Sequence, residues 1–325
     1  MDSLVPCLVT GAAGFIASHL SEALAQAGHP VVGVDCFDPY YDERLKRRNL
    51  ECVCAHPGFS FMQGDVCDAE MLERVFAEHQ PRIVFHLAAR AGVRGSIQDP
   101  ELYTRMNVDA TVTLLEAARK HGVERFVLAS SSSVYGASNS LPFSEDQRID
   151  KPESPYAATK VAAEALSYTY SRIHKLPVTC LRFFTVYGPR QRPDLAISKF
   201  VGLMLQDKPI PVYGDGTASR DFTFVGDIVR GIVATMHAPE LGEPGCFEVI
   251  NLGSDRPITV LQMVEGIEAA LGQKAVIDWQ PPAPGDVPHT WASVEKAGRL
   301  LQWKPQTSLA DGLSAFVDWY RKSLA

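Results

Sequence analysis

The sequence lacks a hydrophobic run long enough to cross a membrane, and it lacks an excess of basic residues. A membrane-spanning helix needs about 20 consecutive, mostly apolar residues, and no stretch of the 325 residues approaches that length. The formal net charge of −7 argues against nucleic acid, because phosphate backbones are bound through basic surfaces. We therefore expect neither a membrane nor a nucleic acid as a partner.

Paired cysteines are also missing. The seven cysteines are odd in number and contain no CxxC pair, which is typical of reduced thiols in the cytoplasm. Cys52 and Cys54 could form half of a metal site, but no second pair stands at ligand spacing, so we predict no metal centre. The N-terminal residues show no secretory signal pattern. We expect a cytoplasmic protein.

The sequence does contain short apolar runs that alternate with amphipathic, helix-like stretches. Strands separated by helices predict an α/β fold with a Rossmann-type, doubly wound parallel sheet. After about residue 183, proline and glycine become frequent, which suits loops that close over a ligand. We predict a nucleotide-binding domain of residues 1–182 and a smaller α/β substrate domain of residues 183–325, with short segments that cross back to the first.

The turn VTGAAGFIAS follows the first predicted strand and opens a helix. Gly11 permits the tight turn, and Gly14 lets the backbone approach a pyrophosphate at the helix N-terminus. Asp35 ends the second strand at the spacing of a carboxylate that binds a ribose diol, and its charge favours NAD over NADP. The predicted cofactor residues are Gly11, Gly14, Phe15, Ile16, Asp35, Asp65, Val66, Leu87, Ala88, Ala89, Tyr156 and Lys160.

The motif YAATK places Tyr156 and Lys160 four residues apart, on one face of a predicted helix. A nearby ammonium favours phenolate, so we expect Lys160 to lower the pKa of Tyr156 and make it a base near neutral pH. Spacing alone would equally fit two surface side chains. The glycine turn, Asp35 and the serine-rich strand end ASSSSVYG together favour catalysis.

The motifs TGxxGxxA, HLAA, SSSSVYG, YxxxK and RFFTVYGP resemble the extended short-chain dehydrogenase/reductase family, specifically its nucleotide-sugar epimerases and dehydratases. The resemblance covers nearly the whole chain. It implies that Tyr156 takes a proton from a sugar hydroxyl while NAD accepts the hydride from the same carbon. It further implies that Ser131 hydrogen-bonds the reacting oxygen and that Lys160 holds the nicotinamide ribose. Family members usually form homodimers, which we expect here.

The residues after Ser131 separate the reactions of this family. Its dehydratases carry an acid pair there, whereas this sequence has Ser132 and Ser133, whose hydroxyls are too weakly acidic to expel water. The resemblance therefore favours epimerisation with NAD kept tightly bound. The segment VDCFDPYYDERLKRRNL is similar to the UDP-glucuronate 4-epimerases, which implies conversion of UDP-glucuronate to UDP-galacturonate through a 4-keto sugar. Departures from that group include Ala17, Arg90 and the segment GPRQRPD.

The same similarity suggests which residues hold the UDP-sugar. A 4-keto glucuronate tends to lose CO2, so neutral hydroxyls are expected to hold its carboxylate, and the guanidinium fork of arginine suits the diphosphate. Tyr213 is expected to pack on the nucleoside and Asp286 to accept from its ribose. The predicted substrate-binding residues are Ser132, Ser133, Thr185, Arg192, Tyr213, Arg220 and Asp286.

Three other functions stay open on the sequence. Two are enzymatic: a UDP-glucose/UDP-galactose 4-epimerase and a UDP-glucuronate decarboxylase. The third is a non-catalytic NAD-binding scaffold or sensor. The presence of Ser131, Tyr156 and Lys160 counts against a sensor, which needs only the nucleotide site.

Overall fold

The computed structural model describes residues 4–137, 139–281 and 289–324. The strands are β1 (Cys7–Thr10), β2 (Val31–Asp35), β3 (Phe59–Gln63), β4 (Ile83–His86), β5 (Arg125–Ser131), β6 (Val178–Phe183), β7 (Thr185–Tyr187), β8 (Ile210–Tyr213), β9 (Ser219–Phe224), β10 (Phe247–Leu252), β11 (Pro257–Thr259), β12 (Ile277–Gln280) and β13 (His289–Thr290). The α-helices are α1 (Phe15–Gln26), α2 (Glu43–Cys54), α3 (Ala69–His79), α4 (Val93–Gln98), α5 (Pro100–Thr104), α6 (Ala110–Lys120), α7 (Pro155–His174), α8 (Ala196–Met204), α9 (Val225–His237), α10 (Val260–Leu271), α11 (Glu295–Leu301) and α12 (Leu309–Leu324).

The large sheet has seven strands in the order β10-β6-β5-β4-β1-β2-β3, and every neighbouring pair is parallel. The chain order reverses beside β1, since β2 lies on one side of it and β4 on the other. Ligands bind outside the carboxyl ends of the strands at such a reversal. The predicted Rossmann-type doubly wound sheet is confirmed.

Helices cover both faces of this sheet, which explains why its central strands are continuously apolar. Alternate residues of β1 face opposite sides. Cys7 and Val9 pack in the core that contains α1 and α9, whereas Leu8 packs in the core that contains α3 and α6. The central strands are therefore fixed from both sides, and their carboxyl ends give a rigid base for a site.

The C-terminal half builds a second lobe around its own apolar core, which includes Tyr187, Phe200, Phe222, Ile267 and Phe316. Strand β9 is central there, and it pairs with β7, β11 and β13. Strand β10 belongs instead to the large sheet, where it pairs with β6. Chain from beyond residue 183 thus completes the nucleotide lobe, while the boundary at residues 182 and 183 stays a prediction.

The stretch YTRMNVDATVTLLEAARKHG differs from the single long helix that its pattern predicts. Helices α5 and α6 are joined by a π-helical segment, Arg105–Asp109. In that segment the buried Asn107 bonds to the backbone N–H and C=O of Arg90 and donates to Thr159 Oγ1. The wider π turn accommodates these contacts, and such turns are frequent beside functional sites.

Within the described ranges, no helix is long and apolar enough to cross a membrane.

Candidate active site

A cleft of about 1190 Å³, open to solvent, lies at the carboxyl edge of the large sheet. Its walls come from the β1–α1 turn, the end of β2, the segment after β4, the end of β5 and the start of α7. The predicted cofactor residues in its wall are Gly11, Gly14, Phe15, Ile16, Asp35, Val66, Leu87, Ala88, Ala89, Tyr156 and Lys160. Asp65 is not in the wall; it pairs with Arg105 at 3.2 Å.

The β1–α1 turn brings two backbones into close contact. Gly11 has φ +71°, and a Cβ atom there would lie 2.9 Å from the N and Cα atoms of Ala88. The N-cap residue of α1 is Gly14, which has no side chain to cap the helix. The first N–H groups of α1 therefore face the cleft without a side-chain acceptor from the N-cap residue, an arrangement that suits a phosphate.

Asp35 is oriented at the end of β2 by two backbone hydrogen bonds. Its Oδ2 accepts from Ala13 N at 3.1 Å, and its Oδ1 accepts from Phe37 N at 2.8 Å. Burial raises the pKa of Asp35, and these bonds together with the charge of Lys46 oppose the rise. Each oxygen keeps lone-pair capacity for a further donor, as a ribose diol requires.

The loop after β2 adds residues to the cleft that the motif search did not assign. Asp38, Tyr40 and Tyr41 in this loop, and Lys46 in the first turn of α2, line the wall. Among the described residues the Tyr41 hydroxyl is buried without a hydrogen-bond partner. A buried hydroxyl in the wall, Asp35 and a helix N-terminus together fit the polar groups of a dinucleotide.

Lys160 is held beneath the cleft by the adjacent strand. Its Nζ donates to the carbonyl oxygen of Ala129 at 2.8 Å, and only 4% of the residue is exposed. Burial lowers the pKa of Lys160 to about 8.

The pKa of Tyr156 is raised, whereas the sequence motif predicts that it is lowered. Burial raises its pKa, and the groups that oppose the rise are Ser131, through a hydrogen bond, and Arg192, through its charge. Desolvation outweighs both, and the Lys160 ammonium is engaged by a backbone carbonyl. The prediction that Lys160 lowers the pKa of Tyr156 was therefore wrong for this protein, and Ser131 and Arg192 are the residues that favour its phenolate.

The serine run ends β5 and starts a 3-10 turn, Ser132–Tyr135. The Ser131 Oγ accepts from Ser133 N and donates to Ser133 Oγ, both at 3.2 Å. Ser132 and Ser133 are half-buried in the turn. The strand end therefore places Ser131, which hydrogen-bonds Tyr156, at the start of a turn that carries two further serines.

Arg192 lies in the cleft wall and reaches it from the smaller lobe. It pairs with Asp194 at 2.9 Å, and its guanidinium carbon is 5.3 Å from the centre of the Tyr40 ring. Arg90, one of the sequence departures, is 5.2 Å from the same ring and pairs with Asp38 at 2.8 Å. Two cations and one aromatic ring thus gather at this side of the cleft.

Thr185, Tyr213 and Arg220 lie in the smaller lobe, outside the described wall of the cleft. Thr185 starts β7, beside β9, and Arg220 lies on β9 in register with Thr290. Tyr213 ends β8, with its ring centre 5.6 Å from the guanidinium carbon of Arg94. Asp286 lies outside the described residues. Their roles stay predictions.

A buried histidine orders the loop after β4, and sequence reasoning gave it no role. His86 lies between Thr10 Oγ1 at 2.8 Å and Thr111 Oγ1 at 3.1 Å. Burial, with a smaller effect from the Lys160 charge, lowers the pKa of His86 to about 3. Thr10 Oγ1 also accepts from Ala88 N at 3.2 Å, so the neutral His86 and Thr10 fix the cleft wall.

The parallel sheet, the glycine turn and the Ser131–Tyr156–Lys160 set define an extended short-chain dehydrogenase/reductase. Comparison with family models is more specific. The chain belongs to the GDP-mannose 4,6-dehydratase family, whose model matches residues 8–316.

Within this family, the chain is similar to several sugar-nucleotide 4-epimerases. The chain is 42% identical over 318 residues to a UDP-glucuronate 4-epimerase of Thermodesulfobacterium geofontis, covering 98% of this chain and 96% of that protein. A Bacillus cereus UDP-glucuronic acid 4-epimerase, solved with UDP-glucuronic acid and NAD, matches with TM-score 0.91 and 39% identity over 98% of this chain and 99% of that chain. A Thermotoga maritima UDP-glucose 4-epimerase, solved with UDP-glucose, matches with TM-score 0.89 and 33% identity over 98% and 100%.

Proposed function

We propose that this protein is an NAD-dependent UDP-glucuronate 4-epimerase, an isomerase that forms UDP-galacturonate through a transient 4-keto sugar. One observation carries the proposal. Ser132 and Ser133 follow Ser131, the hydrogen-bond partner of Tyr156, in a chain that matches UDP-glucuronate 4-epimerases over 98% of its length. The hydroxyls of Ser132 and Ser133 can donate to a carboxylate but cannot protonate a leaving hydroxyl.

The cleft residues would hold NAD, with Asp35 at the ribose diol and the N-terminus of α1 at the pyrophosphate. When bound, NAD supplies the acceptor and donor for the hydrogen on C4 of the sugar. Lys160, held by the Ala129 carbonyl, would bind the nicotinamide ribose and supply a positive charge there. The pocket that holds the cofactor is thus built almost entirely from the large sheet.

Tyr156 moves the proton of the C4 hydroxyl. Its phenolate oxygen receives that proton as the ketone forms, and the resulting phenol returns it to the C4 oxygen when the ketone is reduced from the other face. Ser131 donates a hydrogen bond to the same oxygen, and the Ser131 and Arg192 contacts offset the burial that disfavours phenolate. A general acid–base group of this kind contributes about 10²- to 10⁴-fold to the rate.

The smaller lobe would bind the UDP-sugar, in keeping with the division at residues 182 and 183. Thr185, Ser132 and Ser133 would donate to the carboxylate and keep the C5–carboxylate bond out of line with the ketone π system. Such an alignment suppresses loss of CO2. The diphosphate and the nucleoside would be bound by Arg192, Arg220, Tyr213 and Asp286.

Product identity tests the proposal. Purified protein is incubated separately with UDP-glucuronate and with UDP-glucose, and the products are identified by NMR. We expect UDP-galacturonate from the first substrate and much slower turnover of the second. Turnover of UDP-glucose alone would assign a neutral-sugar epimerase, and accumulation of a UDP-pentose would assign a decarboxylase.

A homodimer and a cytoplasmic location are part of the proposal. Helices α6 and α7 pack together, and α7 exposes the apolar side chains of Tyr168 and Ile173, which are 48% and 71% accessible. A second copy would cover them. All seven cysteines are free thiols, in keeping with a reducing compartment.

A further inference from the structure

Ser130, which the sequence leaves without a role, is connected to the helix that carries Tyr156 and Lys160. Its Oγ donates to Oε1 of Glu164 at 2.5 Å, and both residues are 4% exposed. The preceding residue of β5, Ala129, accepts the hydrogen bond of Lys160. Two adjacent residues of β5 therefore contact two α7 side chains that lie one helical turn apart.

Glu164 is fixed from its other side by Arg182 on β6. The guanidinium makes two hydrogen bonds to the carboxylate, Nε to Oε1 at 2.9 Å and Nη2 to Oε2 at 2.7 Å. Both side chains are almost fully buried, at 3% and 4% exposure. Ser130 and Arg182 are direct partners in the β5–β6 register. A bidentate pair of this kind holds the carboxylate in one orientation.

The same guanidinium also contacts the turn that follows Ser131. Its carbon lies 4.7 Å from the centre of the Tyr135 ring, and the Tyr135 hydroxyl donates to Asn251 Oδ1 at 2.7 Å. A continuous set of contacts thus joins α7, β5, β6 and β10. It sets the position of the strand end bearing Ser131 against the helix bearing Lys160.

Lys160 is a buried side chain in the wall of the cleft. Burial lowers its pKa to about 8, and the charge of Glu164 is the main effect that opposes this fall. His86 stays neutral because burial lowers its pKa to about 3. The titratable or charged side chains around Lys160 are Tyr156 and Glu164 on α7, His86 on β4, and Cys180 and Arg182 on β6.

We propose that Glu164, aligned by Ser130 and Arg182, is a positioning residue that keeps Lys160 in its ammonium form and directed at the end of β5. The inference rests on the proposed function, in which Lys160 acts as a cation beside Tyr156 and the cofactor. Ser130 acts through Glu164, so its role is distinct from that of Ser131, which contacts Tyr156.

Three variants and one control test this role. Glu164→Gln removes the charge but leaves Arg182 without its carboxylate. Glu164→Gln combined with Arg182→Met removes both charges, which avoids burying one alone. Ser130→Ala removes only the hydrogen bond to Glu164. The matched control is Glu116→Gln, which neutralises a carboxylate that also contacts α7, through the Tyr170 hydroxyl, but lies on the outer helix α6.

The readout is the titration of the Lys160 ammonium, followed by NMR in protein labelled with ¹⁵N-lysine and assigned by loss of the signal in Lys160→Arg. We expect Glu164→Gln to lower its midpoint by about one pH unit or more, as loss of an adjacent opposite charge does. The combined variant loses an opposite and a like charge together, so it should lower the midpoint less. Ser130→Ala should lower it less, and Glu116→Gln should leave it unchanged. The pH profile of UDP-glucuronate turnover should move in the same direction.

An unchanged midpoint in folded Glu164→Gln, or in Ser130→Ala if the Glu164 variants do not fold, would overturn the proposal and leave Glu164 a purely structural partner of Arg182. Ser130→Ala keeps both charges and gives a third folded measurement. If the unsubstituted protein does not turn over UDP-glucuronate, the proposed function fails, whereas the ammonium titration still decides the role of Glu164.

Discussion

At the scale of single residues, the site combines reactive groups with surroundings that disfavour their charged forms. Burial raises the pKa of Tyr156 and lowers that of Lys160 to about 8. The i, i+4 motif placed both side chains correctly on one helix. It could not show their desolvation, because burial depends on β5 and on the smaller lobe, which are distant in sequence.

Tyr156→Phe tests the proton transfer. It removes one hydroxyl and keeps the ring, so we expect turnover to fall about 10³-fold, within the range of a lost general acid–base group. NAD released on denaturation, measured per protomer, should stay unchanged. Tyr168→Phe, an exposed position on the same helix, is the matched control. Full turnover by Tyr156→Phe would contradict the role of Tyr156 as the proton-transfer group.

His86 gives a stability prediction with a definite sign. Its pKa is about 3 in the folded protein and about 6.5 when unfolded. Between these values the unfolded chain binds the extra proton, so the folding stability it contributes is complete above pH 6.5 and falls as the pH drops. From pH 7 to pH 5 the loss from His86 is about 2 kcal/mol.

Denaturant unfolding at pH 7 and pH 5 checks this. His86→Gln should reduce the difference in unfolding free energy between the two pH values by about 2 kcal/mol, whatever its own effect at pH 7. The same substitution at the exposed His174 is the control. An equal pH dependence in His86→Gln and the unsubstituted protein would contradict a buried, neutral His86.

At the scale of secondary-structure elements, the β1–α1 turn combines a left-handed backbone with a close approach. Position 11 requires glycine both for its positive φ and for its close contact with Ala88. Gly122 has a similar φ of +66° but nothing within 4 Å of an added Cβ atom. We expect Gly122→Ala to cost about 1 kcal/mol from backbone strain alone. Gly11→Ala should cost more and lose bound NAD, because the new methyl displaces Ala88.

Thermal unfolding and the NAD content of the purified variants measure the difference. Equal unfolding temperatures and equal NAD content in Gly11→Ala and Gly122→Ala would show that contact with Ala88 does not matter.

Elements were predictable where a local pattern determines them. The alternating runs located every strand of the large sheet except β10, because strands covered on both faces must be apolar. The π-helical segment at Arg105–Asp109 was not predictable, since it serves the contacts of Asn107 with Arg90 and Thr159. The Glu164–Arg182 pair could not be predicted from the sequence either, because only the β5–β6 register brings Arg182 beside Ser130.

At the scale of the whole molecule, the proposed dimer surface makes a separate prediction. Ile173→Asp places a charge on an apolar residue of α7 that is 71% exposed, so we expect a mass of one 35.6 kDa chain instead of two by light scattering. Val276→Asp, at a 63% exposed position in the other lobe, should leave the mass unchanged. A monomeric unsubstituted protein would contradict the dimer.

The assignment of the two lobes was only partly accessible from sequence. The glycine turn and Asp35 located the nucleotide cleft, because their roles depend on local backbone geometry and spacing. The crossing of β10 into the large sheet was not assigned, since it depends on pairing with β6. The substrate residues were inferred by resemblance, and Thr185, Tyr213 and Arg220 lie on separate strands of the smaller lobe.

The fate of the hydrogen on C4 tests the central claim most directly. UDP-glucuronate carrying deuterium at C4 is incubated with the purified protein, and the product is examined by NMR and mass spectrometry. We predict UDP-galacturonate that retains the deuterium at C4, because the same hydrogen leaves C4 as a hydride and returns to it without exchange with solvent. Product with the deuterium replaced by solvent hydrogen, or no UDP-galacturonate at all, would contradict the account.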